Sequence, residues 1–133
     1  MTLTLTWQRG LEFTGGPIGP PIDFDSSAPD VVSPMQALGY ALMACMGMDV
    51  AHLLQKGRYE LQGLSVTLEG TRVQEPPRRF TAIQLHFDVS GDVPEAAVER
   101  AIDLSRTTYC SVWHSLRQDI ELRTTFGVNS RST

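Results

Sequence analysis

An α+β fold, with antiparallel sheet around one long buried helix, is what this sequence predicts, and three observations predict it. Alternating apolar and polar residues mark strands on both sides of a central stretch. That stretch, Pro34–Lys56, is apolar on nearly every side. Cap and turn residues punctuate the segments between. A length of 133 residues fits one domain, expected to span 1–133, with a core that needs no disulfide or metal to hold it.

The elements follow in order. Leu3, Leu5 and Trp7 share one face of a first strand, with Thr2, Thr4 and Thr6 on the other. Arg9-Gly10 reads as a turn and residues 11–13 as the returning strand. Residues 15–34 hold three Gly and five Pro, and nothing long and regular fits there except a short extended piece at 22–24. A loop of this length in a small domain marks a lid, a binding loop or an arm toward another subunit. Ser33 then reads as an N-cap with Pro34 at the first helical position, and Gly57 as the stop. Leu38, Leu42, Met43, Cys45, Met46, Val50, Leu53 and Leu54 cover every face, so the helix is expected to be buried on all sides. A chain this short cannot cover it alone. An obligate homodimer is the expectation.

Two one-sided strands follow. Leu64, Val66 and Leu68 alternate with Ser65, Thr67 and Glu69, with Gly70 marking a bulge. Ile83, Leu85, Phe87 and Val89 alternate with Gln84, His86 and Asp88, and Glu75-Pro76-Pro77 makes the turn between them. Asp92-Val93-Pro94-Glu95 reads as a capping box with Asp92 as the cap, and the next helix turns Val98, Ala101, Ile102 and Ser105 inward. A short helix from near Thr108 to near Arg117 puts Cys110 in its first turn. Ile120, Leu122 and Thr124 form a last strand, and residues 129–133 a polar tail.

Composition removes several function classes. The net charge is −4, with ten Arg and a single Lys, and the only dense basic spot is Arg78-Arg79 with Arg72 nearby. A nucleic-acid partner needs a basic stripe and an anionic membrane surface needs a basic patch, so neither is expected. The start of the chain lacks the charged and apolar blocks of a targeting segment. The uncharged run at 37–48 is twelve residues, against the roughly twenty of a membrane span, so the expected location is the cytoplasm. No phosphate-cradling loop is present, since Gly15-Gly16-Pro17-Ile18-Gly19-Pro20 puts prolines where donors are needed, and no cofactor is expected. The Gly-x-Ser-x-Gly elbow of serine hydrolases is also absent.

The two cysteines, Cys45 and Cys110, are too few for a zinc cluster and lack the C-x-x-C spacing. They are either buried bystanders or one long-range redox pair. Cys45 sits mid-helix, where Cys packs as a small hydrophobe. Cys110, at a helix start, is placed where N–H groups stabilise thiolate. Asp49 and His52 share a face with Cys45, but this Cys–Asp–His stripe is an unusual ligand set and no metal is expected. His86 points outward on its strand, and His114 reads as a surface residue.

Strands, a Gly/Pro loop, Ser33-Pro34-Met35-Gln36-Ala37-Leu38, a central helix with Cys45 eleven residues after Pro34, two antiparallel strands, a helix and Tyr109-Cys110-Ser111-Val112 together resemble the OsmC/Ohr superfamily over residues 3–122. The run Cys45-Met46-Gly47-Met48-Asp49-Val50 is similar to the branch with C-x-x-x-D-V. The resemblance implies an intertwined homodimer with two central helices between sheets built by both chains. It implies reduction of organic hydroperoxides or hydrogen peroxide, with Cys45 peroxidatic and Cys110 resolving, and a dithiol as reductant. It also implies an activating Arg from the N-terminal sheet, for which Arg9 is the matching position. The family's Glu after the helix-start Pro is replaced here by Met35 and Gln36. Asp49, one turn from Cys45, opposes thiolate formation. The alternative function is a non-catalytic dimer that binds a small apolar ligand at the subunit interface. The methionines at 35, 43, 46 and 48 and the Gly/Pro loop are its support.

Overall fold

The computed structural model describes residues 1–130. The chain falls into two compact units, Met1–Tyr40 and the segment from Ala41 on, each with its own three-stranded sheet.

In the first unit β1 (Thr4–Arg9), β2 (Glu12–Gly16) and β3 (Ile22–Asp25) form an antiparallel meander. Trp7 pairs with Phe13 and Phe13 with Phe24, so three aromatic residues cross the sheet in one row. The β1–β2 turn rests on Gly10, whose φ of +49° suits a residue without Cβ, and Trp7 Nε1 donates to its carbonyl at 2.9 Å. The extended piece expected at 22–24 is β3. The chain after it closes into a compact turn. Asp25 N–H donates to Val32 O at 3.1 Å, and Ser27 donates both its N–H and its hydroxyl to Asp25 Oδ1. These Ser27 bonds hold the Asp25 carboxyl below the usual carboxylate range.

The helix α1 (Pro34–Lys56) begins as its sequence predicts, with a reciprocal cap. Gln36 N–H donates to Ser33 Oγ at 3.2 Å, and Ser33 N–H donates to Gln36 Oε1 at 3.0 Å. Its far end differs in detail from expectation. Arg58, with φ of 63°, takes the left-handed position, and Gly57 is the residue the Tyr59 ring passes over: a Cβ there would lie 2.8 Å from Cε2.

Within the second unit α1 buries a ridge of Leu42, Met46, Val50 and Leu54, four residues apart. Gly47 faces Val66 of the sheet, where an added Cβ would meet Cγ2 at 3.5 Å. Burial on all sides is not observed within one chain. Ala41, Ala44, Met48, His52 and Gln55 form an exposed stripe at helical spacing, with Met48 69% exposed. By length and composition alone α1 could cross a membrane, although residues 37–48 read as too short for that.

The second sheet has the order β4 (Glu60–Arg72), β5 (Phe80–Asp92), β6 (Glu121–Val128). The pair β4–β5 is antiparallel and β5–β6 is parallel, so the sheet is mixed. A parallel pair needs a crossover, and the helices between Asp92 and Glu121 supply it. Ile83, Leu85, Phe87 and Val89 are buried as predicted. The register shifts lie between Leu61 and Gly63 and between Thr71 and Arg72. Gly70 is not the bulge. It pairs with Ile83, and the Phe80 ring crosses it where a Cβ would sit 2.5 Å from Cε1.

Asp92 does not cap the next helix, because it remains in β5 opposite Glu60. Pro94 takes the cap position of α2 (Glu95–Leu104), and its carbonyl accepts from Ala97 and Val98 N–H. Val98, Ala101, Ile102 and Ser105 are all buried, as predicted. A π-helical turn, Ser105–Tyr109, continues α2, and α3 is short, Ser111–His114. Cys110 is therefore the N-cap of α3 and not a first-turn residue. Asn129 is no free tail: its side chain bonds both the N–H and the carbonyl of Gly91, at 2.9 and 2.8 Å. Residues 131–133 of the expected tail lie outside the described residues.

Candidate functional site

The second unit brings together Cys45 and Asp49 from α1 with Ser105 and Cys110 from the segment after α2. The two sulfurs and a carboxylate oxygen of Asp49 all lie within 4.8 Å of one another. Cys45 and Asp49 share a helix face because they are one turn apart. Cys110 is directed at them by the π-helical turn, in which its N–H donates to Ser105 O at 2.8 Å. Both cysteines are free thiols. A disulfide between them would close the sulfurs to about 2.05 Å.

The two thiols sit in different surroundings. Cys110 has no accessible surface, whereas Cys45 is half-buried. Burial pushes the Cys110 thiol up to about 11, and the Cys45 sulfur and the Asp49 carboxylate push in the same direction. The Trp113 N–H, which donates to Cys110 Sγ at 3.3 Å, works against that rise. At neutral pH Cys110 is a thiol.

Ser105 is fully buried, and its Oγ donates to Asp49 Oδ2 at 2.7 Å. This residue was legible only as part of an apolar helix face. A serine on such a face needs a partner, and that is the signal that points to a site. His52 is exposed and stands outside the cluster; Cys110 takes the place that the expected stripe gave it. His114 is exposed and meets Cys110 only through its backbone N–H. His86 bonds Thr125 Oγ1 at 2.7 Å and Asp88 at 3.2 Å on the strands β5 and β6.

In the first unit Arg9 Nη1 pairs with Glu12 Oε2 at 2.8 Å. Glu12 is thus a carboxylate partner for Arg9 that the sequence reading did not anticipate. Gln36 has its Oε1 committed to the helix cap. Of the basic spot, Arg72 donates to Arg78 O and Arg79 to Phe80 O, so both serve the β4–β5 turn.

A mixed sheet under a central helix, with a cysteine of that helix facing a second cysteine, defines a thiol protein of the α+β class. Residues 27–125 match the family described as OsmC-like protein, and the chain belongs to that family. Protein YhfA of Escherichia coli (strain K12) is 39% identical over 131 residues, which cover 96% of this chain and 98% of YhfA. A hypothetical protein from Aquifex aeolicus VF5 superposes with a TM-score of 0.90 at 26% identity, covering 98% of this chain and 97% of that one. The organic hydroperoxide resistance protein OsmC from Legionella pneumophila shares the fold, with a TM-score of 0.71 at 16% identity over 96% of this chain and 98% of that one.

Proposed function

We propose that this chain is a thiol-dependent reductase of organic hydroperoxides or hydrogen peroxide, a single OsmC-like domain over 1–133 that works in the cytoplasm as a homodimer. The observation that carries the reading is the approach of the Cys45 and Cys110 sulfurs to within 4.8 Å. Cys45 thiolate attacks a peroxide oxygen, the O–O bond breaks, and alcohol or water leaves with a proton. Cys45 is then a sulfenic acid. Cys110 sulfur attacks it, its proton leaves with the hydroxyl as water, and the pair becomes a disulfide. A dithiol returns both cysteines to thiols by two exchange steps.

Arg9 is assigned by the family resemblance as the charge that stabilises the thiolate and the departing oxygen. In this chain its guanidinium is 77% exposed and pairs with Glu12 through Nη1 at 2.8 Å, a surface ion pair of small energetic weight. The exposed stripe of α1 supports the homodimer. The test is a peroxidase assay with cumene hydroperoxide and a set of dithiols, including dihydrolipoamide, against Cys45→Ser. Turnover that depends on Cys45 is the expected result.

A second reading has one observation in its favour. Leu5, Leu11, Phe13, Phe24 and Pro34 line an apolar groove of about 340 Å³ in the first unit. A non-catalytic dimer that binds a small apolar ligand would use such a groove. Saturable binding of an apolar fluorescent probe, together with no peroxide turnover, would select this reading.

A further inference from the structure

We infer that the reduced Cys45–Asp49–Cys110 cluster is a binding site for one thiophilic divalent cation, of which Zn²⁺ fits the donor set. This goes beyond peroxide reduction and does not depend on it. Two sulfurs and a carboxylate oxygen are a donor set zinc accepts, and three protein ligands leave a fourth position for water. A zinc–sulfur length of about 2.3 Å places two tetrahedral sulfurs roughly 3.8 Å apart. The three donor atoms already lie within 4.8 Å of one another, close to the spacing a tetrahedral site requires. Two thiolates disfavour Mg²⁺ and Ca²⁺, which prefer oxygen.

Two further contacts have the character of an outer ligand shell. Ser105 Oγ donates to Asp49 Oδ2 at 2.7 Å and leaves the other carboxylate oxygen available. Trp113 N–H donates to Cys110 Sγ at 3.3 Å and fixes that sulfur from behind. Partners of this kind orient ligands and tune their basicity. Cys45 and Asp49 are half-buried, so the cluster is in part exposed to solvent, from which a cation and its water would enter.

Charge argues in the same direction. Two sulfurs and the Asp49 carboxylate converge within 4.8 Å, and the carboxylate has no ion-pair partner among the described residues. A divalent cation turns the same three groups into mutually supporting ligands and displaces the thiol protons.

The experiment uses the full chain, reduced and anaerobic, titrated with Zn²⁺ in competition with a chromophoric chelator of known affinity. One Zn²⁺ per chain is expected at micromolar affinity or tighter, with affinity rising with pH as the thiols yield their protons. Asp49→Asn should bind at least about tenfold more weakly, and Ser105→Ala about tenfold. Cys45→Ser, Cys110→Ser and the disulfide form should lose the site. Co²⁺ in place of Zn²⁺ should show a sulfur-to-metal absorption band that vanishes in both cysteine variants. Far-ultraviolet circular dichroism checks the fold of each variant, and if Cys110→Ser does not fold, Asp49→Asn and the disulfide form decide. Binding weaker than about 100 μM, unchanged affinity in Asp49→Asn, or equal binding by the disulfide form would overturn the assignment. Because the readout is stoichiometric binding, failure here leaves peroxide turnover to be judged on its own assay.

Discussion

Ser105 Oγ donates a 2.7 Å hydrogen bond to Asp49 Oδ2, joining residues 56 positions apart in the chain. Ser105 is fully buried and Asp49 half-buried, so the bond is made where water competes poorly for the serine. Asp49→Ala is expected to lower stability by about 1–3 kcal/mol, the cost of a buried hydroxyl left without an acceptor. Asp49→Asn keeps an acceptor oxygen and should cost less than about 1 kcal/mol. Urea melts of the two variants check the difference.

The Cys110 thiol, raised from 9.0 to about 11, makes stability depend on alkaline pH. A thiol held protonated by the fold contributes stability below its unfolded value. That contribution declines as pH rises from about 9 toward 11, because only the unfolded chain releases the proton readily. The expected loss is on the order of 2 kcal/mol across that window. Thermal melts at a series of pH values should show it in the wild type and not in Cys110→Ala.

Cys110→Ser should separate the two chemical steps of the proposed cycle. One equivalent of peroxide is still consumed per chain, and a sulfenic acid persists at Cys45. Steady-state turnover with a dithiol should fall by about a hundredfold. Trapping of the sulfenic acid with dimedone, read by mass spectrometry, checks the first step, and stopped-flow kinetics the second.

Met48→Glu places a charge in the middle of the exposed stripe formed by Ala41, Ala44, Met48, His52 and Gln55. In a monomer this change is at a solvent-facing site and should shift stability by no more than about 0.5 kcal/mol. In a dimer that buries the stripe, it should weaken association by several kcal/mol, the cost of an unpaired charge removed from water. Sedimentation equilibrium on both proteins distinguishes the outcomes.

Local chemistry carried most of the fold into the sequence. Ser33-Pro34 marked the start of α1, and the alternation at 83–89 identified the buried face of β5, because cap residues and period-two burial act within a few neighbours. What escaped detection depended on distant partners. The parallel pairing of β6 is set by the crossover and not by any residue in the strand. The cap expected from Asp92 was lost to its pairing with Glu60 in the sheet. Within the site, Cys45 and Asp49 were readable as one helix face. The convergence of Cys110 and Ser105 on them was not, since nothing local to either segment encodes it. The residues alone leave the cysteines as buried bystanders or a redox pair, and the family resemblance is what selects the pair.

The π-helical turn at Ser105–Tyr109 fixes more than a hydrogen bond. Each residue of a helical turn rotates the chain by a large fraction of a right angle, so one residue inserted or removed between Ser105 and Cys110 swings the cysteine away from α1. The spacing of these two residues thus acts as a phase setting. Descendants of this chain can exchange side chains along the turn and keep the cluster intact, but an insertion or deletion of one codon there dismantles it. The length of this segment should be more strictly inherited than its composition.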